Sequence, residues 1–232
     1  MPLAAHHPLN ILALDTSSEY CSVALWRGGA LEGREVHAGQ RHSELVLTMV
    51  DELLARHGLK AAQLDGIAYG AGPGSFTGLR IACGVTQGIA FAGNTPVVGI
   101  ETLRAMAECA QAERIVCCVD ARMHEIYHAA YEKVGGAWRP VESPSVCAPG
   151  AAPLLTGNGW LGAGNGFAAY GETLAQRYAG SVERIDPGIH SRAHEIVRLA
   201  VPEFEQGRGM DAGQALPLYI RDKVALAMHE QP

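Results

Sequence analysis

Basic charge is scarce in this chain. Its 232 residues hold 18 Lys and Arg against 24 Asp and Glu, a net charge of −6 with His neutral. The C-terminal half carries no basic run. That excludes a chain that grips a nucleic-acid backbone by itself, because such binding rests on clustered Lys and Arg. Paired cysteines are missing as well. Cys21, Cys83, Cys109, Cys117, Cys118 and Cys147 form no C-x-x-C pair and read as free, mostly buried thiols in a reducing cytoplasm. The N-terminal "MPLAAHHPLN" lacks a basic region followed by an apolar one, so no secretory signal is expected. Long apolar runs are absent too. The most apolar stretch, Leu79 to Ala92, contains Arg80 and Gln87 and is shorter than the ~20 residues a bilayer span needs. A cytoplasmic protein without membrane contact is expected.

Apolar residues and glycine are plentiful. Apolar residues make up 48%, enough for a sizeable core, and 28 glycines imply many tight turns. The length suits one large domain or two small lobes. "LNILALD", "CSVALWRGG" and "ALEGREVH" read as three strands of an antiparallel meander. "HSELVLTMVDELLARHG" follows as a helix, with Ser43 as its N-cap, Glu44 in its first turn and Gly58 at its end. Then come the strand "DGIAYGAG", a helix over Leu79 to Gly93, the strand "TPVVGI" and the helix "ETLRAMAECAQ". The first half therefore reads βββαβαβα. The second half opens with strands again, passes through the loop-rich "CAPGAAPLLTGNGWLGAGNGFAAYG", and ends in two helical stretches, "YGETLAQRYA" and "SRAHEIVRLAVPEFEQG".

"RMHEIYH", residues 122–128, contains His-Glu-x-x-His, the zinc-protease signature. The motif works only on a helix, where residues four apart lie ~6 Å from each other. On a strand the same pair is ~13 Å apart. Ile115 to Val119 and Glu125 to Val134 read as strands, and Gly135–Gly136 as a hairpin turn into "AWRPVE". His124 and His128 are therefore expected along a half-exposed strand, unable to share a metal through this motif.

Two helices have unusual faces. Leu45, Val46, Leu47, Met49, Val50, Leu53, Leu54 and His57 cover an arc of roughly 200° of the first, wider than one sheet requires. The second is apolar almost all round, with Gly84 and Gly88 one turn apart. Each glycine costs ~1 kcal/mol against alanine in a helix interior. Close approach of another helix is the functional reading; a helix wedged within its own domain is the bland one. Before the second helix, "YGAGPGSFTGLR" runs from strand to helix, a place suited to phosphate. It lacks the P-loop Lys-Ser/Thr and the G-x-G-x-x-G spacing. Ser75 or Thr77 also serves as a simple helix cap.

"ILALDTSSEYCSVAL", "YGAGPGSFTGLRIACGVTQGIAF", "VDARMHEIYHAAY" and "LPLYIRDKVA" together resemble the TsaB (YeaZ) family over nearly the whole chain. "GPGSFTGLR" and "DARMHEIY" are the most specific segments. The resemblance implies an α/β fold of the two-lobed actin/Hsp70/sugar-kinase (ASKHA) type, with mixed sheets flanked by helices. It implies an N-terminal lobe over 1–110 and a C-terminal lobe over 111–232, whose end packs back on the first.

It also implies a non-catalytic subunit. The catalytic paralogue TsaD holds a metal with H-x-x-x-H, and Thr102 and Met106 fall at those places here. TsaD's Ser-Gly-Gly-His phosphate turn is replaced by "DARMHE", with Asp120 where phosphate would sit. Asp15, Thr16 and Ser17 match the first phosphate hairpin of the wider fold and imply a residual nucleotide contact. The implied partners are TsaD and TsaE. tRNA is reached only through that complex, in threonylcarbamoyl transfer to the adenosine beside the anticodon. The chain itself needs no cofactor, and ATP or ADP belongs at the interface with TsaD. Pairing is expected through Leu45, Val46, Met49, Val50, Leu53, Ile81, Gly84 and Gly88, with a homodimer when the chain is alone. Two rival readings are an ATP-hydrolysing phosphotransferase using Asp15 and Asp120 as cation ligands, and a metalloprotease. Tyr219 and Arg221 remain without a role at this stage.

Overall fold

The structure is a computed structural model and describes residues 8–221. These divide into two compact units. The first draws on residues 8–111 and 189–217, the second on residues 112–188 and 218–221. Ile189–Pro217 thus joins the first unit, although it follows the whole of Ala112–Gly188 in sequence.

The first unit is built on a mixed sheet of β1 (Asn10–Asp15), β2 (Tyr20–Arg27), β3 (Ala30–His37), β4 (Gly66–Gly72) and β5 (Val97–Glu101), in the order β3-β2-β1-β4-β5. β1, β2 and β3 form the antiparallel meander, while β4 and β5 run parallel to β1. All six residues of β1 are buried, as expected for a strand covered on both faces. Successive side chains leave a strand on opposite sides. Leu12 and Leu14 accordingly join a core with Val46, Met49, Val50, Leu53 and Leu54 of α1 (His42–Arg56) and Ala82 and Ala90 of α2 (Phe76–Gly93). Ile11 and Ala13 join a second core with Ala105 of α3 (Thr102–Cys109). Its other wall is the last helix, α6 (Ala193–Glu205), through Ile196, Val197, Ala200 and Val201. That face is rich in alanine (Ala13, Ala24, Ala68, Ala193, Ala200), so α6 lies close on the strands.

The second unit repeats the plan. β6 (Arg114–Arg122), β7 (Glu125–Val134) and β8 (Ala137–Cys147) form an antiparallel meander, and β9 (Trp160–Ala163) and β10 (Val182–Asp186) add parallel strands. The order β10-β9-β6-β7-β8 has the same connectivity as the first sheet. Two short helices, α4 (Gly166–Ala169) and α5 (Gly171–Arg177), follow β9. Phe167 and Leu174 from them pack with Val116, Ile126, Trp160 and Tyr178.

Several expectations need correction. β9, β10 and α4 lie in stretches read as loop-rich or left without an element. Trp160–Ala163 is only four residues long, too short for a periodic pattern to register. The N-cap of α1 is Arg41, not Ser43, and no side chain caps that end. α2 begins at Phe76, three residues before the expected Leu79. "LPLYIRDKVA" runs beyond residue 221, and its last residues lie outside the described ones.

The first unit needs both of its chain pieces. Residues 1–111 expressed alone should lack a cooperative unfolding transition and bind a hydrophobic dye. Joining 189–217 to them by a flexible linker should restore cooperativity. Cooperative unfolding of 1–111 alone would show that α6 is dispensable.

Candidate functional site

The first candidate lies where β1 turns into β2 and β4 runs into α2. Asp15 ends β1 and is buried. Its Oδ1 accepts a hydrogen bond from the Ser17 N–H at 2.8 Å, closing a tight side-chain turn. The Ser17 carbonyl accepts the Ser75 N–H at 2.8 Å. The Thr16 hydroxyl donates to the Gly78 carbonyl at 2.7 Å. Ser75 caps α2, its hydroxyl accepting the Gly78 N–H at 3.3 Å.

The glycines of the loop are spent on this contact. A Cβ on Gly78 would stand 1.9 Å from the Thr16 carbonyl oxygen. One on Gly74 would stand 2.6 Å from the Ser17 carbonyl, and one on Gly70 2.5 Å from Asp15 Oδ1. The loop lies directly on the hairpin. Asp15, Thr16 and Ser17, expected as nucleotide contacts, are all buried beneath it. Burial raises the Asp15 carboxyl above its usual range, against smaller lowering contributions from Ser191, Ser17 and His190.

Thr102 and Met106 sit on α3. The Thr102 hydroxyl donates to the Pro73 carbonyl at 2.5 Å, and Met106 is buried. Thr102 therefore ties α3 to the glycine loop, and Met106 is taken up in the buried interior. Among the described residues, no three His, Cys, Asp or Glu side chains converge as a metal site.

In the second unit, Asp120 precedes the β6–β7 turn. Its N–H donates to Asn165 Oδ1 at 2.9 Å. Its Oδ1 accepts the Arg122 N–H at 2.9 Å and the Tyr170 hydroxyl at 3.1 Å. Its Oδ2 lies 3.3 Å from the Arg122 guanidinium. Desolvation first, then this bond to Asp120, raises the Tyr170 hydroxyl's pKa. Arg122, Met123 and His124 all have left-handed φ, at 63°, 54° and 60°, which costs ~1–2 kcal/mol per non-glycine residue. Asp120 holds this turn from one side. From the other, Arg221 pairs with Glu125 and reaches Met123 Sδ at 3.7 Å. Arg221 thereby acquires a role that its sequence context did not reveal.

His124 is thus in the turn, while Glu125 opens β7 and His128 lies within it. The metalloprotease reading lacks its helix. The expected half-exposed strand also needs correction, because His128 is 0% exposed. It faces Cys118 across the strands and lies 6.4 Å from the Tyr178 ring. Both ring nitrogens are buried without a partner, and desolvation lowers its pKa to about 4.

The expected pairing surface divides in two. Val46, Met49, Val50 and Leu53 are buried in the first unit's own core, so these four are corrected from surface to core. The wide apolar arc of α1 arises because that helix packs against both β2 and α2. Leu45 and Ile81 are half-buried, and Gly84 and Gly88 are exposed. Nothing lies within 4 Å of where a Cβ on either glycine would stand. Leu47, at 49% exposed, and Phe91, at 69%, add apolar surface on these two helices. Neither was among the expected contacts, although Leu47 stood on the arc.

Comparison with known proteins agrees with this architecture. Residues 36–195 match the family model described as TsaD, tRNA N6-adenosine threonylcarbamoyltransferase. The chain is 38% identical over 230 residues to the tRNA threonylcarbamoyladenosine biosynthesis protein TsaB of Haemophilus influenzae, covering 93% of this chain and 95% of that one. It is 34% identical over 226 residues to the Escherichia coli protein of the same name, covering 94% and 96%. Among solved structures, YeaZ from Pseudomonas aeruginosa superposes with a TM-score of 0.83 at 36% identity, over 91% of this chain and 99% of that one. A second Pseudomonas aeruginosa structure, described as similar to peptidase YEAZ, gives 0.85 at 36% identity, over 92% and 100%.

Two outcomes are expected from this geometry. Gly78→Ala should destabilise the first unit by about 3 kcal/mol or more, since backbone lies on both sides of the clash; denaturant titration reads it. His128 is neutral when folded and has a lowered pKa, so its contribution to stability is present above the unfolded value of ~6.5 and lost as pH falls toward about 4. Between pH 7 and 4.5 this amounts to about 2.5 kcal/mol. His128→Phe should remove that part of the pH dependence. An unchanged slope in the variant would mean His128 is not its source.

Proposed function

The chain belongs to the TsaB family, and on that premise we propose that it is a non-catalytic subunit that pairs with TsaD and supports threonylcarbamoyl transfer to the adenosine beside the tRNA anticodon. The observation that carries this reading is the use of the chemistry-bearing positions. Thr102 and Met106 stand where the paralogue's metal ligands would fall, and both are consumed in packing. The hairpin Asp15–Ser17 is sealed under the glycine loop. Asp120 is engaged in shaping its own turn.

Pairing takes the accessible part of α1 and α2. Leu45, Leu47, Ile81 and Phe91 supply apolar contact, and Gly84 and Gly88 let a partner helix approach the α2 backbone. TsaE joins the pair, and tRNA is met through TsaD, which suits a chain of net charge −6. Alone, the same face closes on a second copy in an isologous dimer. The chain requires no cofactor of its own, and ATP or ADP belongs at the junction with TsaD. The assembly works in the cytoplasm. No helix among the described residues is long and apolar enough to cross a membrane.

Light scattering after gel filtration, on the chain alone and then mixed with TsaD of the same organism, tests the reading. A homodimer that exchanges into a one-to-one complex is expected. Gly84→Leu should abolish both species while remaining folded, weakening pairing by roughly 100-fold (about 2.7 kcal/mol) or more. Normal pairing by this variant would move the interface elsewhere; a monomer that ignores TsaD would overturn the function.

A further inference from the structure

We infer that Met123 is an oxidation site, and that its sulfoxide closes on Arg221 and tightens the β6–β7 turn. The inference is independent of the pairing function. Met123 is the middle one of the three left-handed residues of that turn and is 49% exposed. The other methionines among the described residues are sheltered: Met49 is 3% exposed, Met106 is 2% exposed and Met210 is half-buried. An oxidant in solution therefore meets the Met123 sulfur first, since a thioether must be reached to be oxidised.

What lies against the sulfur gives its oxidation a structural effect. Arg221 Nη1 donates to Met123 Sδ at 3.7 Å, while Nη2 pairs with Glu125. A thioether is a weak acceptor. Arg221 Nε is buried without a partner, and the side chain as a whole is 15% exposed. This guanidinium is short of acceptors and sheltered from water. Sheltered donors are normally paired, and bonds from charged donors are the stronger ones, so an oxygen brought to Nη1 is stabilising. Glu125, at the start of β7, already holds the guanidinium beside the turn.

Hydrogen peroxide supplies the oxygen. The sulfur lone pair attacks one peroxide oxygen, and the O–O bond breaks as the S–O bond forms. The proton on the transferred oxygen passes to the departing hydroxide, which leaves as water. Sulfur is oxidised to the sulfoxide and the peroxide is reduced. An S–O bond of about 1.5 Å, set about 45° off the line to Nη1, places the oxygen about 2.8 Å from that nitrogen, an ordinary hydrogen-bond length. The turn is then tied from both sides. Asp120 Oδ1 holds the Arg122 N–H at 2.9 Å, and Arg221 holds the sulfoxide. Oxidation disrupts a methionine packed in a core; here it adds a bond to a turn whose left-handed residues are strained.

The test treats the full chain with hydrogen peroxide and follows it by mass spectrometry. Peptide mapping should find one added oxygen on Met123 before Met49, Met106 or Met210 reacts. Hydrogen exchange of the amides from Arg122 to Ile126 should then slow by about fivefold, the size of one added hydrogen bond. Met123→Gln, which carries a carbonyl oxygen at the same reach, should show the slower exchange without peroxide. Met123→Leu should show no response to peroxide in this segment, which separates Met123 from the half-buried thiols of Cys109 and Cys147. Arg221→Gln should take up oxygen at Met123 without the slowing; if that variant unfolds, Met123→Gln and Met123→Leu decide. Four results would each overturn the inference: exchange that stays the same or quickens on oxidation, slowing that persists in Met123→Leu or Arg221→Gln, a Met123→Gln variant that exchanges like the wild type, or earlier oxidation of a sheltered methionine.

Discussion

The contact of Gly78 with the Thr16 carbonyl is the constraint on which the first unit turns. Only a residue without a Cβ lets the first turn of α2 lie against the β1–β2 hairpin. From that contact follow the bond of Thr16 to the Gly78 carbonyl, the capping by Ser75 and the burial of Asp15. It also fixes which side of α2 faces the sheet. With Ala82, Cys83 and Ala90 directed inward, Gly84 and Gly88 are left facing out. The sealed hairpin and the bare helical face thus have one origin. A loop that could have cradled a phosphate instead positions a surface.

The second unit uses a related device. A Cβ on Gly166, at the start of α4, would stand 2.6 Å from the Cys118 carbonyl. Cys118 lies on β6, which occupies the place in its sheet that β1 occupies in the other, and α4 follows β9 as α2 follows β4. Each unit therefore seats the first turn of a helix through a glycine, against the turn after β1 in the first and against β6 itself in the second. The turns at the ends of these strands differ. The first is closed by the compact Asp15 and Ser17 pairing. The second carries three consecutive left-handed residues, held by Asp120 and Arg221.

Much of the fold was legible in the sequence because its signals are local. Period-2 patterns and turn glycines marked the strands of both meanders, and the apolar arcs marked α1 and α2. What was not legible depends on distant packing. The arc of α1 looked too wide for one sheet, yet Val46, Met49, Val50 and Leu53 are core because α1 also meets α2. His128 read as half-exposed because a histidine on an alternating strand usually faces water. Its burial depends on packing with Tyr178, 50 residues further along the chain, which strand alternation does not reveal. At the site, the residues expected to touch nucleotide were placed correctly on one hairpin. That a glycine loop would cover them required knowing how closely two backbones approach, which no spacing reveals.

The separation of the first unit into two chain pieces has a consequence during synthesis. One face of its sheet, including Ile11, Ala13, Ala24 and Ala68, is covered by α6. The ribosome must make residues 112–188 before α6 begins to appear, which takes on the order of 4–15 s at ordinary elongation rates. Throughout that interval the sheet is complete, but this face has only α3 against it and lacks the cover of α6. The second unit, contiguous through most of its length, can close first. The order of birth and the order of folding therefore differ, and the interval between them is when a nascent chain of this design depends most on chaperones.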